Sequence, residues 1–175
     1  KRVIYESQDE NCWTVCNADQ KWGHAFAEET LAQVLWYSER PLEDSVGKNA
    51  LGGWLTKSKT KSNYSDDSGP SYWSLDLLEG YGRFSLDGQE ELLVPSQVLV
   101  PGRHQKKNIL AAAVAARAFG LSPEGIMSAL ASFPGVPHRL EFVGSIRGIR
   151  WYNDSTATIP DATIAAIDSF SSPIV

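Results

Sequence analysis

Alternating apolar and polar positions mark the first third of the chain as a mixture of strands and a helix. Two short strands are predicted over residues 2–7 and 12–19, where apolar and aromatic side chains cluster between turn-forming residues. Apolar side chains recur near helical spacing over residues 24–38, which predicts a helix that Pro41 ends.

From about residue 45 to residue 100 the pattern changes to short alternating runs separated by Gly, Ser and Asp. These runs predict antiparallel strands over residues 52–58, 71–78, 82–94 and 96–100. The pair Asp87-Gly88 predicts a hairpin turn, because two-residue turns of this kind need positive φ angles. The polar stretch over residues 57–71 is predicted to be a surface loop.

Helical signals dominate the next part of the chain. The Ala-rich stretch from Asn108 to Phe119 is predicted to be a helix that ends at Gly120. Ser122 followed by Pro123 is a typical helix start, and a second helix is predicted up to about Phe133.

After a Gly- and Pro-containing linker at residues 134–137, the pattern returns to strands. Two strands are predicted over residues 137–144 and 145–153, followed by a polar corner and a helix that Pro160 opens. This order of strand, corner and helix indicates an α/β fold. The linker is the predicted domain boundary.

Composition excludes some classes of protein and partner. With 42% hydrophobic residues in a chain of 175, a packed core is expected and disorder is not. The net charge of −5 argues against nucleic acid or an acidic membrane as a partner bound by bulk charge, although a local basic site stays open. No apolar run approaches the ~20 residues of a membrane span.

Two cysteines, Cys12 and Cys16, stand four residues apart, a spacing that fits neither a redox C-x-x-C motif nor a zinc knuckle. Buried free thiols in a reducing cytoplasm are expected, with a disulfide as the alternative. The chain does not begin with methionine and stops in an apolar run, which suggests a piece of a longer protein.

The polar corner "NDSTAT", residues 153–158, precedes the last helix. The first N–H groups of a helix are unpaired and attract anions, and Ser155, Thr156 and Thr158 can add hydroxyl donors. Asp154 can accept a hydrogen bond from a ribose hydroxyl or orient the water of a metal ion. The alternative is a purely local helix cap, for which these residue types are also favoured.

Two further motifs carry basic residues. In "GRHQKKN", residues 102–108, four basic or potentially basic groups make a local site for phosphate, and the amide of Asn108 suits the edge of a nucleobase. In "PHRLE", residues 137–141, Arg139 suits bidentate contact with phosphate. The alternatives are solvated lysines in the first motif and an Arg139–Glu141 pair in the second. A P-loop motif is absent, since "GKN" at residues 47–49 lacks its glycine and Ser/Thr partners.

In this order the motifs "GRHQKKN", "PHRLE" and "NDSTAT" resemble those of the Mur ligases. The resemblance is greatest to the members that add D-glutamate to UDP-N-acetylmuramoyl-L-alanine, in which N-D-S-x-A-T is typical of the corner. It implies that residues 1–136 are the late part of a P-loop-type central ATP-binding domain, with a β-rich hairpin region and two helices. Residues 137–175 would begin a Rossmann-like C-terminal domain.

The resemblance also implies roles for individual residues. Lys1 falls on a lysine that becomes carbamylated and holds Mg²⁺, a hard ion that prefers oxygen ligands. The residues implied to contact the ATP nucleotide are His104, Gln105, Asn108, Arg139 and Asp154. The residues implied on the substrate side are Thr158, which would help bind D-glutamate, together with Thr156 and His138. The family often has Asn at position 105 and Lys at position 156.

The implied reaction is ATP-dependent amide formation through an acyl phosphate in peptidoglycan synthesis, with Mg²⁺, in a cytoplasmic enzyme that acts as a monomer. The P-loop and the muramoyl-peptide site of the family would lie upstream of Lys1, so this chain by itself is expected to be inactive. One alternative is a related ligase such as folylpolyglutamate synthase. The other is a non-catalytic β-rich binding module that holds a partner with Trp54 and Trp73.

Overall fold

The computed structural model describes residues 2–58, 78–85, 87–170 and 173–175. Lys1, Trp73, nearly all of the predicted strand 71–78 and most of the predicted loop 57–71 lie outside these residues. The first part of the described chain forms β1 (Trp13–Asn17), α1 (Lys21–Glu29), β2 (Gln33–Ser38), α2 (Leu42–Ser45), β3 (Gly52–Lys57), β4 (Leu78–Arg83) and β5 (Glu90–Val94). The second part forms α3 (Arg103–Ala118), α4 (Pro123–Ser132), β6 (Glu141–Ile146), β7 (Ile149–Asn153) and α5 (Pro160–Ile167).

A mixed sheet with the strand order β1-β2-β3-β4-β5 forms the centre of the fold. Strands β1, β2 and β3 are parallel, and β4 and β5 are added in antiparallel orientation. Successive strand residues point to opposite faces, so Leu35 and Leu55 enter the core beneath α3, whereas Trp36 and Trp54 pack with Phe26 of α1. Helices therefore cover both faces of the sheet, and the predicted α/β class is confirmed.

Helix α3 lies very close to the sheet because glycines face it. A Cβ atom on Gly53 would come within 2.7 Å of Val114 Cγ2, and one on Gly80 within 3.1 Å of Leu110 Cδ1. A side chain at Gly53 would overlap Val114, and one at Gly80 would be tight against Leu110, since packed protein interiors have few gaps. Leu110 and Val114 are fully buried at this contact.

The predicted helix over residues 24–38 is wrong in its second half. Helix α1 ends at Glu29, and Gln33–Ser38 forms β2 in the interior of the sheet, paired with β1 and β3. A strand that is buried on both faces carries a continuous apolar run, which periodicity does not distinguish from a buried helix.

Three other predictions differ from the structure. Residues 2–7 do not form a strand: Arg2–Ile4 is a single 3-10 turn. Residues 96–100 form no strand, although Val98 and Val100 are buried in the core. Helix α3 begins at Arg103, five residues before the predicted Asn108, directly after Gly102 in a positive-φ conformation (φ 94°). Basic residues in a first turn oppose the helix dipole, so the composition of this motif does not indicate a helix start.

Local signals elsewhere are confirmed. Strands β4 and β5 form the hairpin predicted around Asp87-Gly88, with φ of 77° at Gly88. Ser122 Oγ accepts a hydrogen bond from the N–H of Gly125 (3.1 Å) and caps α4. The two cysteines are free thiols, as predicted, but only Cys16 is fully buried and Cys12 is partly exposed.

Strands β6 and β7 form a separate antiparallel sheet, and α5 follows them. This region contacts the start of α3, where a Cβ atom on Gly102 would lie 2.3 Å from Ser169 Oγ. The domain boundary at residues 134–137 stays a prediction. Within the described part of the chain, no helix combines the length and the hydropathy that crossing a membrane requires.

Replacement of Gly23 by alanine tests the packing of α1 on the sheet. Alanine normally stabilises a helix by up to ~1 kcal/mol relative to glycine. A Cβ atom here would lie 1.9 Å from the backbone oxygen of Asn17, so we expect Gly23→Ala to lower the free energy of unfolding by about 2 kcal/mol instead. Urea unfolding followed by circular dichroism measures the change.

Gly125 in α4 provides the matched control. The nearest atom to an added Cβ there is Ser122 Oγ at 3.3 Å, which belongs to a movable side chain. Gly125→Ala should therefore change the stability by less than ~1 kcal/mol. If Gly23→Ala proved as stable as the parent chain, the close approach of α1 to β1 would be wrong.

Candidate functional site

Residues from all three sequence motifs meet around His104 in the first turn of α3. Burial lowers the pKa of His104, the Asp154 carboxylate opposes that effect, and the positive charges of Arg139 and Lys107 add to it; the net shift is downward. The C-terminal region reaches this turn, since a Cβ atom on Gly102 would lie 2.3 Å from Ser169 Oγ and 2.8 Å from His104 Cε1, and Asp154 and Arg139 are near enough for their charges to act on the pKa of His104. The structure thus brings together groups that are up to 50 residues apart in sequence.

The loop "PHRLE" has a strained backbone that hydrogen bonds hold in place. His138 and Leu140 have positive φ angles of 66° and 45°, which are uncommon for residues other than glycine. The N–H of Leu140 donates to Asp154 Oδ1 (3.0 Å), and the N–H of His138 donates to Glu141 Oε2 (2.8 Å). Strain of this kind persists only where the surroundings fix it, and it is typical of ligand-binding sites.

The loop between these two residues presents Arg139 to solvent. Arg139 is exposed, and its neighbours on both sides have fixed backbone conformations. The hydroxyl and the N–H of Thr156 both donate to the carbonyl of His138, at 2.9 and 3.1 Å. Arg139 is therefore carried by a loop whose backbone these hydrogen bonds hold in place.

The polar corner does not cap the helix that follows it. The residue at the N-terminal boundary of α5 is Ile159, and no side chain there makes a capping hydrogen bond. Asp154 and Thr156 instead bond to the loop 137–141, and Thr158 is exposed. The local-cap alternative is therefore wrong, and the corner acts as a support for the loop that carries Arg139.

The basic motif is less available to an anion than its sequence suggests. Lys106 is only 5% exposed, and its Nζ donates to the carbonyl of Ser96 (2.5 Å). Arg103 Nε and Lys107 Nζ both contact the carboxylate of Glu39, at 3.0 and 2.9 Å. Lys106 is therefore neither part of a free phosphate site nor a solvated lysine. Both interpretations of the motif are wrong for this residue.

Glu39 connects the end of β2 to the first turns of α3. Burial alone would raise its pKa, but the hydrogen bonds from Lys107 and Arg103 lower it below its usual value. The N–H of Glu39 also donates to Asp19 Oδ2 (2.9 Å). Sequence reasoning misses this contact, because it joins residues 64 positions apart and depends on a strand whose pattern predicts a helix.

The implied adenine residues have different environments. Gln105 is buried, whereas Asn108 is exposed, and Asn108 Nδ2 donates to Gln105 Oε1 over a long 3.4 Å. Gln105 therefore lies behind Asn108, which has the accessible amide. In the second motif, the anticipated partner of Arg139, Glu141, instead accepts from the N–H of His138.

No metal centre is formed by the part of the chain that the structure describes. Those residues contain no group of three or more His, Cys, Asp or Glu side chains able to hold an ion. Lys1, the implied magnesium ligand, lies outside the described residues. The described donor groups therefore do not fit a resident metal by themselves.

Comparisons with known proteins find curated relatives that share one name and solved structures that share the fold. The chain is 30% identical over 175 residues to a UDP-N-acetylmuramoylalanine--D-glutamate ligase of Syntrophus aciditrophicus, covering 100% of this chain and 33% of that protein. It resembles a crystal structure of MurF from Acinetobacter baumannii with a TM-score of 0.67 at 17% identity, over 97% of this chain and 31% of that one. A mutant of L. casei FPGS gives a TM-score of 0.55 at 18% identity, over 99% and 38%.

These comparisons cover the whole of this chain but only part of the other proteins. The chain spans about a third of the length of the curated relatives it matches. The two solved structures are below 25% identity and show the fold alone. No protein-family model matches the sequence.

Replacement of the buried Lys106 by methionine tests the electrostatics beneath the site. Burial lowers the pKa of Lys106 from 10.5 to about 8, so the folded chain binds fewer protons than the unfolded chain between these values. Stability should therefore rise with pH across this window, by up to roughly 3 kcal/mol. In Lys106→Met that rise should disappear, because no proton is released.

Urea midpoints measured between pH 8 and pH 10 give the slope for each variant. Lys48 is exposed, and Lys48→Met is the matched control that should keep the slope of the parent chain. An unchanged slope in Lys106→Met would show that this amine is not desolvated in the folded state.

Proposed function

We propose that this chain, which belongs to the Mur ligase family, forms the adenine-nucleotide side of the active site of an ATP-dependent ligase. The observation that carries the proposal is the meeting of His104, Arg139 and Asp154, three residues from separate motifs, at the start of α3. Such a site offers a ring, a guanidinium and a carboxylate at one surface, which match the base, the phosphates and the ribose of a nucleotide.

Each residue has a role that suits its surroundings. The exposed amide of Asn108 offers both donors and an acceptor to the edge of adenine. Arg139, held by its rigid loop, binds phosphate oxygens. Asp154 uses Oδ1 to hold the loop at Leu140, and Oδ2, which has no hydrogen bond to the described residues, can accept from a ribose hydroxyl. Lys1, as a carbamate, would supply an oxygen ligand for Mg²⁺.

The reaction we propose is addition of D-glutamate to UDP-N-acetylmuramoyl-L-alanine, in the cytoplasm and by a monomer. These two substrates are supported by the similarity to the Syntrophus protein, which is a UDP-N-acetylmuramoylalanine--D-glutamate ligase. Thr158 and Thr156 follow Asp154 on the corner and, with His138, would face the amino acid. The ATP supplies the energy for amide formation when it is bound, and the residues described here hold and orient it.

The alternative of a non-catalytic binding module requires an exposed Trp54, and Trp54 is buried. Trp54 is buried at 7% exposure between the sheet and α1, and Arg83 lies over its ring at 5.4 Å. Trp54 is therefore a core residue and has no exposed surface with which to hold a partner. Trp73 lies outside the described residues.

Removal of the Arg139 guanidinium should weaken nucleotide binding. A charge-assisted bidentate contact contributes about 1.5–3 kcal/mol, so we expect Arg139→Ala to lower the affinity for ATP by about 10- to 100-fold. Isothermal titration calorimetry on the protein made from the complete reading frame measures the affinity. Arg147→Ala, on the exposed β6–β7 turn, is the control and should bind ATP normally. Equal affinities for the two variants would contradict the proposed role.

Phosphate release with different amino acids tests the substrate. With UDP-N-acetylmuramoyl-L-alanine and ATP present, D-glutamate should stimulate release, while L-glutamate, L-alanine and diamino acids should not. Detection of the amide product by mass spectrometry links the release to ligation. Stimulation by L-glutamate on a folate acceptor would instead assign the protein to the folylpolyglutamate synthase class.

A further inference from the structure

The side-chain amide of Asn153 has an orientation that its neighbours determine. The N–H of Ser155 lies 3.1 Å from one terminal atom of this amide, and a backbone N–H can only donate, so that atom is the oxygen. The amide nitrogen therefore points the other way. It lies 2.9 Å from His138 Nδ1 and 3.5 Å from Glu141 Oε2. Both of these atoms can accept from the amide nitrogen, so the assignment is consistent on every side.

The orientation of Asn153 fixes the proton of His138. Because the amide nitrogen donates, His138 Nδ1 must accept and cannot carry a hydrogen. Glu141 Oε2 does not accept a hydrogen bond from Nδ1, since the two atoms are 3.8 Å apart. Turning the amide over would set two donors against each other at Ser155. The neutral ring thus has its hydrogen on Nε2.

We propose that Asn153 is a positioning residue that holds His138 as the Nε2–H tautomer. The His138 side chain is 63% exposed, and no hydrogen bond to Nε2 is found among the described residues. His138 therefore presents one N–H donor on the loop that also carries the exposed Arg139. A donor next to a cation suits an oxyanion, either a phosphate of the nucleotide or the carboxylate of the amino acid. The ligand part of this inference rests on the proposed function.

Nitrogen NMR of histidine-labelled protein tests the tautomer directly. Two-bond ¹H–¹⁵N spectra of the complete protein distinguish a ring protonated at Nε2 from one protonated at Nδ1, and His138→Gln identifies the signals. We expect the Nε2–H pattern for His138. His24 is an internal reference, because its Nε2 lies 2.9 Å from the carbonyl of Ala18 and must donate. An Nδ1–H pattern at His138 in the parent protein would overturn the proposal without any variant.

The variant Asn153→Asp reverses the hydrogen bond. The carboxylate keeps an acceptor for the N–H of Ser155 but offers His138 a second acceptor, so His138 must then carry a proton on Nδ1. The His138 spectrum should change accordingly, and that of His24 should not. Asn49→Asp adds the same charge at an exposed loop position and should leave both spectra unchanged. An unchanged His138 in Asn153→Asp would show that Asn153 does not control the tautomer.

Binding to the same variants identifies the oxyanion. Calorimetry with ATP and with D-glutamate should show about a tenfold loss in Asn153→Asp for the ligand that accepts from Nε2–H, and none in Asn49→Asp. Normal affinity for both ligands would overturn the ligand role of His138. If Arg139→Ala weakens ATP binding while the tautomer is wrong, the proposed function stands and this inference fails. Conversely, the expected tautomer in a protein that binds no nucleotide would support the role of Asn153 and overturn the proposed function.

Discussion

The contact of helix α3 with the glycines of β3 and β4 sets the position of everything that follows. At Gly53 an added Cβ would come within 2.7 Å of Val114, and at Gly80 within 3.1 Å of Leu110, so the two glycines allow the helix to pack closely on the sheet. Its buried side includes Leu110 and Val114, and its first turns lie beside Glu39, directly after β2. The first of these turns carries His104, and the motifs at residues 137–141 and 153–158 supply the charged groups near it.

Ion pairs hold the N-terminal end of the same helix in place. Three cations in the first two turns would oppose the helix dipole, and each of them has a carboxylate or carbonyl partner that offsets its charge. Glu39 binds Arg103 and Lys107, and Lys106 is turned into the core towards the carbonyl of Ser96. Arg139, on a different segment, adds a further exposed guanidinium to the site.

Elements with local signals are predictable from the sequence, and those that depend on distant contacts are not. Ser122-Pro123 and Pro160 each mark a helix start whatever the tertiary structure, and both helices begin as predicted. Strand β2 escapes prediction because its burial on both faces comes from neighbouring strands rather than from its own pattern. In the site, the motifs indicate the right segments. They do not reveal that Lys106 is buried or that Glu39 takes part, since both depend on how α3 lies on the sheet.

The corner at residues 153–158 contains no glycine because its side chains, rather than its backbone, make the important contacts. Loops that hold phosphate with their own N–H groups need glycine, because the backbone must approach the ligand closely. Here the corner side chains bond backbone groups of another loop: Asp154 accepts from Leu140, and Thr156 donates to the carbonyl of His138. Those bonds support positive φ angles in residues that are not glycine. Short polar side chains are therefore required at the corner, and recognition passes to the side chains of the loop they hold.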